Sequence, residues 1–386
     1  GQSLTADATK YAILSSGTLA LACDEVSTEI KVTQTATTLT SGKVAHSTDT
    51  YAETVVGTQT IPEGSTLKVV TTNGNLTIAS GAILKNEGEI TNEGTITNAG
   101  TITNAGTITQ SGTFTNLKTI DNESGGEIAG TAAITNGASA DTSAVAVITN
   151  KVGGKITNTG AWTNYGKIEN KDTGALVSAT SGVIANAGAY GIVLQSGAAG
   201  EFKKPITNNY AGAKIQVTGA GATLSGAIIN TIGTVDIDAA TTISGAFTQS
   251  ETTGAVDTAD ALSLTGATEI SEGTLGGTGA ITITGAFTGG SKSAFAKVDD
   301  GSTIYFQSTS ITSGNLGTSG TKGEKFTIGY DATQKVDITD ADAGEVSGSA
   351  AATTYTSSTK GSNASTEKYV VITYASSTWT VTPVGT

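Results

Sequence analysis

From Asn86 to Asp121 the chain reads NEGEIT NEGTIT NAGTIT NAGTIT QSGTFT NLKTID, six consecutive hexads. Asn86, Asn92, Asn98, Asn104, Gln110 and Asn116 occupy the first column, and Gly88, Gly94, Gly100, Gly106 and Gly112 the third. Ile90, Ile96, Ile102, Ile108, Phe114 and Ile120 form the fifth. One apolar residue in six is too sparse for the buried stripe of a helix. Thr flanks each Ile, so the local period is two, which belongs to a strand. Each hexad therefore reads as a short T-I-T strand with Ile inward and Thr outward, followed by an N-x-G corner. Gly permits positive φ and close backbone approach there, and Asn, placed with Gly on the outside of the corner, tolerates the same φ region better than most residues. Corners this frequent make the chain coil, and stacked coils place each column in register about 4.8 Å apart. Ile then stacks on Ile, Asn ladders its amides along the axis, and the fold is an all-β β-solenoid.

Degenerate copies extend the pattern. KITNTG (155–160), AWTNYG (161–166) and PITNNYAG (205–212) keep the punctuation, and Gly-spaced strands such as GAITITGAFTGG (279–290) continue it. A coil of roughly 18 to 25 residues gives on the order of ten coils over residues 71–290. Residues 1–70 carry longer runs, YAILSSGTLALA and EIKVTQTATTL, and residues 291–386 gather many of the aromatics. Three regions follow: an N-terminal β segment (1–70) that caps the coil or pairs subunits, the solenoid (71–290) and a C-terminal β region (291–386). An open coil end is an unpaired sheet edge, so association is expected at the two ends.

Composition narrows the chemistry. In 386 residues there are 51 Gly, three Pro, no Met, a single His (His46) and a single Cys (Cys23); the 20 cationic residues are all Lys, against 33 Asp and Glu, a net charge of -13. Phosphate neutralisation needs basic surface, so nucleic acid is excluded as a partner, and no guanidinium fork exists to clamp carboxylates. One His and one Cys cannot build a zinc site within one chain. Cys23 reads as a small buried hydrophobe and His46 as exposed. No apolar run reaches the length of a membrane helix, so no membrane span is expected. The chain opens at Gly1 without Met, which is read as the removal of a leader or a tag.

The ITN-x-GTIT block resembles the repeats of secreted bacterial β-solenoid surface proteins, of the filamentous haemagglutinin and autotransporter-passenger type. That resemblance implies an extracellular or cell-surface structural or adhesive role.

The remaining motifs are weaker. Thr95, Thr97, Thr101, Thr103, Thr107, Thr109, Thr113 and Thr115 look like the Thr-x-Thr ranks of ice-binding solenoids, but a spacing of six in a longer coil scatters successive copies over different faces. They read as solvated β-face residues. Asp337, Asp340, Asp342 and Glu345 resemble part of a calcium loop, without its turn Gly and distal Glu at loop spacing; calcium is the one cofactor the sequence suggests. Asp299 with Asp300, and Asp236 with Asp238, are paired carboxylates of the kind glycosidases use. Asn75, Asn122 and Asn363 sit in glycosylation sequons. The sequence favours a non-catalytic structural subunit that self-assembles through its terminal β segments into a filament, sheath or surface layer. The alternative is an adhesin or stalk that binds cell-surface glycans, and a polysaccharide-cleaving β-helix enzyme stands third.

Overall fold

A computed structural model describes residues 51–69, 71, 74–139, 145–171, 175–176 and 181–289, together with strand segments 12–15, 18–21, 36–38, 43–44, 296–298, 303–306, 324–329, 335–339, 353–356, 369–375 and 378–384. The chain forms two compact units, Gly1–Lys204 and Pro205–Thr386, and each contains parallel β-solenoid coils, as the hexads predict.

In the first unit one coil consists of three strands, Ile83–Asn86, Glu89–Asn92 and Thr95–Asn98. The next coil, Thr101–Asn104, Thr107–Gln110 and Thr113–Asn116, lies on it strand for strand in parallel register. Ile102 falls beside Leu84, Ile108 beside Ile90 and Phe114 beside Ile96. β-branched residues favour this state because the extended backbone costs their side chains little freedom and they pack well on a pleated surface. Ile90, Ile96, Ile102, Ile108 and Ile120 are all buried. Each such side chain contributes about 1.5–3 kcal/mol of transfer free energy, and every coil supplies one per face.

Parallel stacking already operates ahead of residue 71, where Thr58–Ile61 lies on Ile83–Asn86 and Thr66–Val69 on Glu89–Asn92. In the second unit Lys214–Val217, Thr234–Ile237, Ala255–Thr258 and Thr274–Gly277 stack in the same way. Parallel pairing runs on to Thr303–Phe306, which lies on Ala280–Ile283. Beyond it the direction changes: Thr378–Val384 pairs antiparallel with both Thr303–Phe306 and Tyr369–Ala375, and Thr353–Thr356 adds antiparallel to Tyr369–Ala375.

At the corners two expectations fail, positive φ at Gly and an outward Asn, while the expected close backbone approach holds. Gly88, Gly100, Gly106 and Gly112 do not have positive φ. What requires Gly is close approach of the coil beneath: a Cβ on Gly106 would collide with the Gly88 carbonyl, and one on Gly112 with the Gly94 carbonyl. Asn, expected to face outward at the corner, instead points into the solenoid, and Asn86, Asn92, Asn98 and Asn104 are wholly buried.

Candidate functional site

A buried primary amide must find partners for its polar atoms, and stacking supplies them. Asn86 Nδ2 donates to Asn104 Oδ1 at 2.6 Å and to the Thr107 carbonyl at 3.0 Å. The run continues from Asn104 to Asn122 (2.7 Å), Asn150 (2.7 Å), Asn170 (3.2 Å) and Gln195 (2.6 Å). A second corner joins Asn92 to Gln110 at 2.8 Å. At a third, Asn98, Asn116, Asn136, Asn164 and Asn186 are linked at 2.7–2.8 Å. The four Asn of the clean hexads thus belong to three ladders, and of them only Asn86 and Asn104 bond to each other. In the second unit Asn208, Asn230 and Gln249 form a run of their own at 2.9 and 3.0 Å.

Glutamine has a positional meaning that sequence reading missed. Gln110 Nε2 turns onto the Gly112 carbonyl at 2.5 Å, Gln195 Nε2 onto Gly197 at 2.9 Å, and Gln249 Nε2 onto Glu272 and Thr274 at 3.2 and 3.3 Å. Each of these glutamines accepts from the preceding Asn of its run and donates to backbone carbonyls. At the opposite end the ladders rest on aliphatic residues, Ile61 beneath Asn86 and Val69 beneath Asn92. Asn86 Oδ1 and Asn92 Oδ1 accept no bond there.

Lys204 is a buried cation, 1% exposed. Its ammonium donates to the carbonyls of Asn158 (3.1 Å), Gly160 (2.6 Å) and Ser181 (3.2 Å), and it lies 5.9 Å from the centre of the Trp162 ring. Three donors meet three acceptors, with the ring's negative face adding attraction for a cation. Burial lowers its pKa from 10.5 to about 8. The Trp162 indole N–H donates to Asn158 Oδ1 at 2.7 Å, which also accepts from Gly160 N at 3.0 Å. A lysine reads as exposed by default. The signal that could have found it is parity: Phe202 is buried, and Lys204 lies two residues on.

The outer faces of the first unit differ in charge. On the face of Ile83–Asn86 stand Lys85, Asp121, Lys167 and Glu169, and on that of Glu89–Asn92 stand Lys68, Glu89, Glu127 and Lys155. Lys151 bridges Glu123 at 2.6 Å and Asp121 at 3.3 Å. The hydrogen bond it donates to Glu123 raises its pKa, against the opposing effect of burial. Glu169 accepts from Lys167 and Ser196, both at 2.8 Å. Burial pushes its carboxyl up, but these bonds and the charges of Lys167 and Lys171 outweigh that, leaving the pKa below the ordinary value. On the third face Thr77, Thr97, Thr115, Thr135 and Thr163 stand in register on successive coils. Successive Thr-x-Thr copies do fall on different faces, yet every third one returns to the same face.

Other sequence candidates are dispersed. Asp236 is held by Lys214 at 3.0 Å and Asp238 accepts from Gln216 at 2.9 Å. Asn122 is fully buried in its ladder, so the folded chain does not offer that sequon to a glycan. Asp337 lies in strand Lys335–Thr339; Asp340, Asp342, Glu345, Asp299, Asp300, Asn363, Cys23 and His46 lie outside the described residues. Among the described residues no three His, Cys, Asp or Glu side chains gather as a metal site requires, and no helix is long and apolar enough to cross a membrane.

Coils stacked in parallel register on buried Asn ladders define a β-solenoid repeat protein. The chain matches no protein-family model and no curated protein sequence.

Proposed function

We propose that the chain is a structural subunit, extracellular or on a cell surface, that associates with further copies of itself through its terminal β segments into a filament, sheath or surface layer. The observation that carries this reading is the change of strand direction at the C-terminal end. After the parallel coils the pairing turns antiparallel, and among the described residues Thr353–Thr356 pairs with Tyr369–Ala375 alone, leaving a backbone edge of the kind that accepts a strand from another molecule. Head-to-tail contacts that do not close by rotation make filaments. The ladders support the same reading, since they commit the coil interior to holding one coil on the next. Nucleic acid is no part of the proposal, because a net charge of -13 repels phosphate, and neither are catalysis, a bound cofactor and a membrane span. Electron microscopy of the purified chain over a concentration series tests it: filaments or sheets that lengthen with concentration are expected, and monodisperse monomers throughout would refute it.

Exposed Tyr190 and Tyr210 favour a second reading, an adhesin or stalk whose rings stack on the sugars of cell-surface glycans. Glycan binding by the full chain that Tyr190→Ala and Tyr210→Ala leave unchanged would dismiss this use of them.

A further inference from the structure

We infer that the charge-free face of the first unit is a side-by-side contact between copies of this chain, packed Thr rank against Thr rank. The inference rests on the assembling-subunit reading and adds a lateral contact to its terminal one. The argument begins with charge. Two chains of net charge -13 repel, so a lateral contact is favoured where neither partner must desolvate or oppose a charge. Two of the three faces fail that test, since Lys85, Asp121, Lys167 and Glu169 stand on one and Lys68, Glu89, Glu127 and Lys155 on the other.

The third face passes it. From Gly74–Ile78 to Ile184–Asn186 its outward positions are Asn75, Thr77, Thr95, Thr97, Thr113, Thr115, Thr135, Thr163 and Ala185, none of them charged. Exposed apolar side chains border it, Leu117 at 36%, Val183 at 38% and Tyr190 at 44%, with the exposed Lys118 a bordering charge beside Leu117 at the corner. Parallel, in-register strands carrying one repeated side chain are the surfaces that mate as dry zippers between paired sheets. A Thr presents a methyl to such a contact as well as a hydroxyl that can both donate and accept.

The size of the face decides how the contact works. Six strands about 4.8 Å apart and four residues wide cover only about 300 Å², against the roughly 800 Å² per partner of a stable interface. A single pair of copies therefore associates weakly, and copies already joined end to end associate strongly by adding contacts.

Disulfide trapping of the full chain tests the contact without requiring filaments. In a Cys23→Ser background, Thr97→Cys on the charge-free face is expected to cross-link copies at least tenfold faster than Thr103→Cys on a charged face. Adding Thr115→Lys to the Thr97→Cys chain is expected to slow it by about tenfold. Equal rates at the two positions, or no effect of the added lysine, would overturn the inference. Filament length, read separately by electron microscopy, reports on the terminal contacts, so the two readings fail independently.

Discussion

Asn104 Nδ2 donates to Asn122 Oδ1 at 2.7 Å while Asn104 Oδ1 accepts from Asn86 at 2.6 Å, so one buried side chain ties three coils together. Asn104→Ala leaves Asn122 Oδ1 without its donor and opens a cavity. The expected loss is roughly 2–4 kcal/mol of unfolding free energy, read from the shift of a urea midpoint. Thr103→Ala, on the outward side of the same strand, is expected to stay within about 0.5 kcal/mol of the parent.

Gly106 tests whether corners need glycine for close approach. Its φ is not positive, so Gly106→Ala would be tolerated if conformation were the only issue. The added methyl meets the Gly88 carbonyl, and the coils must part to admit it. A loss of about 1–3 kcal/mol is expected, with a thermal midpoint well below that of Ala105→Gly. Equal midpoints for the two variants would refute the contact explanation.

Lys204 makes stability depend on alkaline pH. Below about 8 both folded and unfolded chains hold its proton; between about 8 and 10.5 the folded chain has released it and the unfolded chain has not. The unfolded state then binds more protons, so stability rises with pH across that window. Relative to Lys204→Met, the native chain is expected to gain up to about 3 kcal/mol between pH 7.5 and 10.5, at about 1.4 kcal/mol per pH unit. A difference that stays flat across the window would contradict the assignment.

Glu169 has the opposite dependence. Its pKa is depressed in the fold, so its contribution is present above the ordinary carboxylate value and disappears as pH falls through the lower folded value. Glu169→Gln is expected to be less stable than the native chain at pH 7. The difference between the two denaturant midpoints should narrow as pH falls from 7 through the ordinary carboxylate range and below it, because protonation brings the native residue to the same neutral state.

Much of the fold was legible in residues 86–121. Ile96 between Thr95 and Thr97 specifies a strand with one apolar face, and recurrence of that unit every six residues specifies a coil. The inward turn of Asn98 was also within reach, since it stands two residues from Ile96 and period two places both on one side. Polarity argued for the outside, because a lone amide inside an apolar coil lacks partners. Lys204 escaped for the same reason, as its carbonyl acceptors lie in coils 23 to 46 residues back along the chain.

The strand, its inward side and the close spacing of corners are written in residues 86–121, since those follow from side-chain shape and backbone preference over a few neighbouring residues. That Asn belongs to the core, that the close approach at Gly106 is to the Gly88 carbonyl, and that the Thr rank and the charged residues lie on separate faces emerge only from the stacked coils. Each of these depends on a partner about one coil away, 18 residues along the chain between Asn86 and Asn104. Hydrogen-bond satisfaction, carbonyl collision and charge segregation take effect only when the coils are stacked.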